Sequence, residues 1–152
     1  MEIKFKKLTP EAKTPYRKID IDAGFDLYAT SIVETPEYIQ YNTGIAVEIP
    51  EEYVGLVFPR SSVTKYDLML KNSVGVIDAS YRGEIMCRFY GTKTINYNVG
   101  NKSATIYGDN KFNVGDRVAQ IVFMELPKIT LIEVNELSDT ERGSGGFGHT
   151  GK

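Results

Sequence analysis

The residues best suited to chemistry lie in one short segment near the middle of this 152-residue chain. Asn72 can both donate and accept hydrogen bonds, so its amide could recognise the polar edge of a flat heterocycle. The apolar pair Val76 and Ile77 predicts a buried strand that ends at Asp78, where a carboxylate would be held in place. Tyr81 follows and could lie flat against a sugar. The alternative is a hairpin in which Asp78 and Tyr81 merely close a turn.

A second segment is suited to binding phosphate. The apolar strand Gly55–Phe58 runs into Pro59, and Arg60, Ser61 and Ser62 follow at the expected start of a short helix. Arginine offers paired donors, serine offers a rotatable one, and a helix start adds free amides with a favourable dipole. The alternative is a capped helix that carries a surface arginine.

The C-terminal residues 142–152 follow the final apolar run and are rich in glycine. Bare backbone amides of this kind can wrap a phosphorylated ligand, while Arg142 supplies charge and Phe147 supplies a ring for stacking. The alternative is a frayed terminus. His149, the single histidine of the chain, has no orienting carboxylate nearby in the sequence. We therefore interpret it as a bystander rather than a general base.

Two further polar residues need an explanation. Asp26 lies close to a glycine at the head of a predicted strand, where a carboxylate usually just forms a turn. Gln120 lies in the apolar run Gly115–Phe123 and needs a hydrogen-bond partner. It could bond a neighbouring backbone group, or it could hold a water or a phosphate oxygen.

Composition argues against several classes of protein. The formal charge is −2, so there is no global basic field for non-specific binding, and we expect no direct nucleic-acid partner. The N-terminus lacks the features of a signal peptide, and no apolar run reaches membrane-spanning length. We therefore expect a soluble, cytoplasmic protein with no membrane partner. The only cysteine, Cys87, cannot form a disulfide within the chain and is expected in the core.

The elements that position these residues are predicted to be short strands, because apolar residues alternate over short runs that turn signals separate. The predicted strands are Ile3–Lys6, Phe25–Thr30, Tyr38–Tyr41, Ile45–Ile49, Tyr53–Phe58, Ser73–Ile77, Glu84–Tyr90, Ser103–Tyr107, Arg117–Met124 and Thr130–Val134. One short helix is predicted after Pro59, with Ser61 or Ser62 as its N-cap. The polar stretch 91–114 is typical of a long hairpin excursion. The pattern predicts one all-β domain.

Taken in order, five segments resemble the five motifs of the trimeric deoxyuridine triphosphatase (dUTPase) family. They are Asp22–Leu27, Phe58–Ser62, Asn72–Ile85, Gly115–Gln120 and Arg142–Gly151. The resemblance implies a distorted jelly-roll β-barrel or sandwich with one short helix. It also implies a homotrimer that exchanges its C-terminal strand and tail, with active sites between subunits. Residues 1–141 would form the domain, and 142–152 would form a flexible lid.

The implied reaction is hydrolysis of dUTP to dUMP and pyrophosphate with Mg²⁺, which limits uracil in DNA and supplies dUMP for dTMP synthesis. Asp78 is implied to deprotonate the attacking water, Asp26 to hold Mg²⁺ through a water, and Tyr81 to pack on deoxyribose and exclude a 2′-hydroxyl. The implied uracil contacts are Asn72, Gly75, Val76, Ile77 and Met86, with Phe147 stacking over the base. The implied phosphate contacts are Arg60, Ser61, Ser62, Gln120, Arg142, Gly146, Gly148 and Thr150.

The chain departs from the family pattern at a few points. Ser62 stands where the second motif usually has glycine, and His149 where the tail usually has serine. The separation between the third and fourth motifs is about ten residues longer than in compact members of the family, and the excursion 91–114 carries the excess. Two alternatives stay open. One is a dCTP deaminase-like enzyme, although Tyr81 stands where deaminases typically carry tryptophan and the chain has none. The other is a phage-type dUTPase with an added regulatory protein partner, bound through 91–114.

Overall fold

The computed structural model describes residues 1–91, 94–98, 103–107 and 110–146, with 94–98 and 103–107 described by their backbone alone. The fold is all-β, which confirms the prediction. The strands are β1 (Lys4–Lys7), β2 (Phe25–Tyr28), β3 (Ser31–Glu34), β4 (Ile39–Asn42), β5 (Ile45–Glu48), β6 (Tyr53–Phe58), β7 (Leu68–Leu70), β8 (Gly75–Ile77), β9 (Met86–Gly91), β10 (Thr94–Asn98), β11 (Ser103–Tyr107) and β12 (Arg117–Glu125). A 3₁₀ helix spans Ser61–Lys65.

Two four-stranded antiparallel sheets form the body of the molecule. The strand order is β2-β12-β6-β8 in the first sheet and β3-β4-β9-β7 in the second. β1 pairs with β5, and β10 pairs with β11 as a separate hairpin. Buried apolar residues of both four-stranded sheets belong to one core cluster. The sheets therefore pack face to face as a distorted jelly-roll sandwich.

The core follows from alternation along the strands. In β9 Cys87 and Phe89 point inward while their neighbours are exposed. Phe89 meets Tyr41 and Phe112 edge to face, with ring centroids 5.6 and 5.7 Å away. Burial raises the pKa of the Cys87 thiol to about 12. Cys87 therefore packs as core, as its alternation predicts.

Several strands differ from the prediction. The sequence does not predict Ser31–Glu34, Leu68–Leu70 or Thr94–Asn98. β7 has only three residues, too few for alternation to show. The strand predicted over Thr130–Val134 is wrong for the single protomer, because residues 126–140 form no strand and are exposed. A strand needs a neighbour to accept its hydrogen bonds, and the described part of the protomer gives this segment none.

The predicted helix is present, but as a five-residue 3₁₀ helix whose N-cap is Arg60. The predicted N-cap, Ser61 or Ser62, is wrong, because both serines lie inside the helix. Helices this short favour the tighter 3₁₀ hydrogen bonding. Among the described residues, no helix is long and apolar enough to cross a membrane.

The β10–β11 hairpin lies within the predicted excursion 91–114, and the chain returning from it is anchored to the body. The side-chain amide of Asn110 donates a hydrogen bond to the backbone carbonyl of Lys65 at the end of the 3₁₀ helix. Lys111 forms an ion pair with Glu34, and Phe112 is fully buried in the core. The excursion therefore leaves and rejoins the body at defined points.

Candidate active site

Part of the candidate site, which we call the hairpin half, consists of Asn72, Gly75–Asp78, Tyr81 and Met86. All of these except Gly75 line one open pocket of about 490 Å³. The Asp78 side chain is exposed at this pocket. The structure therefore brings an amide, a carboxylate and a phenol ring together at one pocket.

Gly75 allows two strands and a polar side chain to approach closely. β8 pairs with β6, and Gly75 lies opposite Val57. A Cβ at Gly75 would stand 3.2 Å from the Cβ of Val57 and 3.6 Å from Nδ2 of Asn72. Ser73, in the turn before β8, has a φ of 60°, a left-handed conformation that is strained for a residue with a side chain. This turn carries Asn72 to the edge of the pocket.

The turn after β8 holds Tyr81 in a fixed orientation. The Tyr81 amide donates to the carbonyl of Asp78 at 3.0 Å, and its hydroxyl donates to the carbonyl of Glu84 at 2.9 Å. The phenol lies against Gly83, where an added Cβ would collide with it. The Glu84 carboxylate accepts a bond from the Gly44 amide at 2.7 Å, which ties the turn to the β4–β5 connection. Sequence reasoning did not single out Gly83 or Glu84.

A second part of the site, the arginine half, consists of Asp26, Arg60, Ser61, Ser62 and Gln120. Nε of Arg60 donates to Oδ1 of Asp26 at 2.5 Å, and its Nη1 donates to Oγ of Ser62 at 3.1 Å. The side chains of Arg60 and Asp26 are 22% and 15% exposed. A charge-assisted bond between partly buried groups is stronger than one at the surface, so the pair fixes the direction of Arg60.

Asp26 is engaged on its second oxygen as well. Nη1 of Arg117 donates to Oδ2 of Asp26 at 3.1 Å, so both carboxylate oxygens accept bonds from guanidinium groups. Sequence reasoning missed Arg117. The feature that could have identified Arg117 is its position in the segment Gly115–Gln120. This segment includes the start of β12, which pairs with β2, the strand that carries Asp26.

Gln120 connects three segments of the arginine half. It lies directly across from Asp26 in the β2–β12 ladder, and its Nε2 donates to the carbonyl of Pro59 at 3.1 Å. An added Cβ at Gly24 would collide with its Oε1, so a side chain at this position would displace the Gln120 amide. From the sequence, the partner of Gln120 is expected to be either a neighbouring backbone group or a water or phosphate oxygen. In the structure the partner is a backbone group, the carbonyl of Pro59. Sequence reasoning noted Gly24 but gave it no contact.

Asp78 of the hairpin half and Arg60 of the arginine half lie far apart within one chain. β6 and β8 are antiparallel, with Val57 opposite Gly75, so Asp78 falls about level with Val54. Arg60 continues β6 in the opposite direction, and the chain from Val54 to Arg60 spans about 20 Å at about 3.3 Å per residue. A triphosphate chain is shorter than this. A ligand whose phosphates begin at Asp78 therefore does not reach the Arg60 of the same chain.

The C-terminal tail is described as far as Gly146. Nε of Arg142 donates to the carbonyl of Gly145 at 2.9 Å, and both Arg142 and Gly146 are exposed. The other predicted tail contacts, Phe147, Gly148 and Thr150, lie outside the described residues.

Nearly the whole chain matches one protein family. Residues 10–151 match the model of the dUTPase family. The chain belongs to this family. A dUTPase relative from Nautilia profundicola, named deoxyuridine 5'-triphosphate nucleotidohydrolase, is 39% identical over the full length of both chains. A relative of the same name from Clostridium tetani is 37% identical over 99% of this chain and 97% of its own. The chain is therefore an enzyme of the dUTP diphosphatase class.

Solved dUTPase structures share the fold. The dUTPase of Staphylococcus bacteriophage 80alpha, solved with dUpNHpp, superposes with a TM-score of 0.78 at 31% identity and covers 99% of each chain. The dUTPase of phage phi11 of S. aureus, described with a species-specific insert, gives a TM-score of 0.71 at 28% identity over 92% of this chain and 100% of that one. The all-β sandwich is thus the dUTPase fold.

Proposed function

We propose that the chain hydrolyses dUTP to dUMP and pyrophosphate by attack of a water on the α-phosphorus. The observation that carries the proposal is the pocket of the hairpin half, which brings Asn72, Asp78 and Tyr81 together in a dUTPase-family chain. An amide, a carboxylate and an aromatic ring suit a nucleobase, a nucleophilic water and a sugar in turn.

The base and sugar are recognised by the hairpin half. The backbone of Gly75–Ile77 and the Asn72 amide pair with the imide edge of uracil. Cytosine presents the wrong donor and acceptor pattern there and leaves polar groups unpaired. Val76 is 61% exposed and Met86 is 43% exposed, so a base entering the pocket covers apolar surface. The fixed ring of Tyr81 packs on deoxyribose and leaves no room for a 2′-hydroxyl.

Asp78 acts as the general base. Its carboxylate accepts a hydrogen bond from a water and takes its proton as the water oxygen bonds to the α-phosphorus. The bond from the α-phosphorus to the bridging oxygen breaks at the same time, and pyrophosphate leaves. A carboxylate is a weak base, so positioning of the water and neutralisation of the leaving group supply most of the acceleration.

The leaving group is held by the arginine half of another subunit. Arg60, Ser61 and Ser62 supply donors to the phosphates, and Gln120 lies beside them. The Asp26 contact fixes the direction of the Arg60 guanidinium before the ligand binds. Arg142 reaches the γ-phosphate as the tail closes. In the tail, Phe147 stacks over uracil, and Gly146, Gly148 and Thr150 contact the phosphates.

Magnesium fits this site as an ion shared with the triphosphate. Among the described residues, no group of three or more His, Cys, Asp or Glu side chains could hold a metal ion. Asp26 already accepts two guanidinium bonds, so its remaining lone pairs suit a water of a hydrated ion rather than the ion itself. Mg²⁺ retains waters and binds phosphates in this way. When bound, it would neutralise phosphate charge. A structure of a phage phi11 dUTPase variant describes a structural Mg(II) ion.

The proposed active form is a homotrimer that exchanges C-terminal segments. Leu131 is 94% exposed and Ile132 is 77% exposed, which is unusual for apolar residues of a predicted strand. β1 pairs only with β5 among the described strands, so its other edge is open. An apolar groove beside β1 includes Ile3, Phe25 and Phe123 among its lining residues. The segment 129–134 of a neighbouring subunit is its proposed occupant.

Leu131→Glu tests this assembly. A carboxylate in the proposed groove would be desolvated, so the variant is expected to dissociate and lose activity at low protein concentration. Ile21→Glu is the matched control, because Ile21 is equally exposed and lies in a loop outside the segment. Sedimentation of both variants gives the outcome. A stable, fully active trimer of Leu131→Glu contradicts the exchange.

Pyrophosphate release from dUTP, compared with UTP and dCTP, tests the function itself. We expect rapid release from dUTP alone. Absence of release from dUTP contradicts the proposal. Ammonia release from dCTP would instead support the deaminase alternative, against which the Tyr81 ring stands in the place of the typical tryptophan. The proposed substrate is an intracellular nucleotide, so the proposed site of action is the cytoplasm.

A second, regulatory function is favoured by the hairpin β10–β11 within 91–114. Phage dUTPases such as that of 80alpha are described as controlling transfer of virulence genes by a G protein-like mechanism. We infer that the hairpin is where a protein partner of this chain would bind. Deleting 94–107 with a short turn in its place is expected to keep dUTP turnover and abolish such binding. Loss of turnover would contradict a separate role for the hairpin.

A further inference from the structure

Arg82 belongs to the hairpin segment but has no part in the reaction proposed above. Its guanidinium folds back on its own turn. Nη1 of Arg82 donates to the carbonyl of Ala79 at 2.5 Å and to the carbonyl of Tyr81 at 2.9 Å. These carbonyls lie within the short stretch that joins Asp78 to Tyr81.

Arg82 does not line the pocket of the hairpin half. It lines two neighbouring pockets together with Lys4 and Glu48, and Asp78 also lines one of these. The pKa of the Glu48 carboxyl is lowered, mainly by Lys4 and to a lesser extent by Arg82. The hydrogen bonds of Arg82 therefore connect it to the site through the backbone of the turn.

We propose that Arg82 is a positioning residue, which holds Asp78 and Tyr81 in a fixed relation and so links the hydrolysis rate to the choice of sugar. This inference rests on the proposed function. In that function Asp78 places the attacking water and Tyr81 contacts the sugar, and one short turn carries both. A backbone bond from Tyr81 to Asp78 closes the turn but leaves the intervening carbonyls free. The guanidinium bridges one of these, the Ala79 carbonyl, to the carbonyl of Tyr81.

An arginine suits this task because its donors lie in one rigid plane and it stays charged at all working pH values. A bond from a charged donor to a carbonyl is stronger than a neutral one. Loss of the guanidinium should let the turn flex, so that the water and the sugar are no longer placed together. The expected defect is therefore in selectivity as well as in rate.

The test compares kcat/KM for dUTP and for UTP in the wild type and in Arg82→Ala. We expect kcat/KM for dUTP to fall about tenfold, and the preference for dUTP over UTP to fall by about the same factor. The preference is a ratio measured on one preparation, so a loss of folded protein cannot change it. Arg82→Lys, whose ammonium can still bond a carbonyl, is expected to recover part of the preference.

Lys13→Ala is the matched control. Lys13 also donates to a backbone carbonyl, that of Gly115, and lies outside both halves of the site. It should keep the wild-type preference. If Arg82→Ala also keeps the wild-type preference while dUTP is hydrolysed normally by the wild type, the positioning role is overturned and the proposed function stands. If the wild type does not hydrolyse dUTP, the proposed function and the positioning role of Arg82 are both overturned. Where Arg82→Ala does not fold, a wild-type preference in Arg82→Lys and in Arg82→Gln overturns the role.

Discussion

The hairpin half and the arginine half of the site are built in opposite ways. The hairpin half presents backbone edges and exposed side chains, such as Val76 and Asp78, around an open pocket. In the arginine half Asp26 already accepts hydrogen bonds from Arg60 and from the neighbouring Arg117. The hairpin half is therefore exposed to an incoming ligand. The arginine half is preorganised, but its charged groups are already paired within the subunit. The distance of about 20 Å between Asp78 and Arg60 in one chain indicates that the two halves meet on one ligand only across a subunit boundary.

The largest effect is expected in the hairpin half, from Asp78→Asn. Asparagine keeps the size of the side chain but cannot accept the proton of the attacking water. We expect kcat to fall by about a thousandfold or more, with dUTP binding retained. Pyrophosphate release gives the rate, and equilibrium titration with dUTP gives the affinity. Turnover close to that of the wild type would remove Asp78 from the chemistry.

A smaller effect in the same half is expected from Gly83→Ala. The new Cβ would collide with the Tyr81 phenol and displace its ring. We expect kcat/KM for dUTP to fall about tenfold and selectivity against UTP to weaken. Gly91→Ala serves as a control, because the one described atom near a Cβ there is Cδ1 of Ile39, at 3.7 Å. Unchanged selectivity in Gly83→Ala would mean that the orientation of the ring does not matter.

In the arginine half, Arg117→Ala should act more gently. Asp26 would lose one of its two guanidinium partners, and Arg60 would then be its only remaining partner in this group. We expect KM for dUTP to rise about threefold to tenfold with a smaller change in kcat, because phosphate binding is affected more than the attack. Steady-state kinetics separate the two constants. A fall in kcat with KM unchanged would place Arg117 in the chemistry instead.

The smallest effect is expected beneath both halves, from Tyr41→Phe. The Tyr41 hydroxyl is buried without a hydrogen-bond partner of normal geometry among the described residues. Burial raises its pKa to about 12, an increase that the nearby Phe112 backbone opposes only in part. The neutral hydroxyl is thus favoured in the folded state. The contribution to stability is present below about pH 10 and is lost as the pH rises through about 12.

Denaturant unfolding of Tyr41→Phe at several pH values checks this expectation. At neutral pH the free energy of unfolding should stay within about 1 kcal/mol of the wild type. Between about pH 10 and 12 the wild type should lose stability faster than the variant. The kinetic constants for dUTP should be the same in both proteins. Equal alkaline loss in the two proteins would show that Tyr41 does not drive it.

Much of the fold could be predicted from the sequence, because alternation is a local signal. The inward placement of Cys87 and Phe89 is present in the pattern of β9 alone. β7, with three residues, is too short to show such a pattern. The strand predicted over Thr130–Val134 carries the alternation but has no neighbour within the described protomer. A local pattern therefore predicts strand character and does not identify the partner.

The candidate site likewise contains a part that is local in the sequence and a part that depends on contacts between distant segments. The hairpin residues lie close together in the sequence, so their shared pocket could be expected from Asn72–Gly83 alone. Contacts between distant segments could not be predicted. Arg117 meets Asp26 only because β12 pairs with β2, and Gln120 meets Pro59 only because β12 also pairs with β6. The roles of the predicted site residues stay predictions until the variants above are measured.

The most direct test of the shared site is complementation between two inactive variants. Asp78→Asn subunits have an intact arginine half, and Arg60→Ala subunits have an intact hairpin half. The two proteins are unfolded, mixed in equal amounts and reassembled, and mass measurement verifies that mixed trimers form. Sites that combine one half from each of two subunits should give about a quarter of wild-type activity in a random mixture. Activity no greater than the sum of the separate variants, with mixed trimers present, would contradict the shared site.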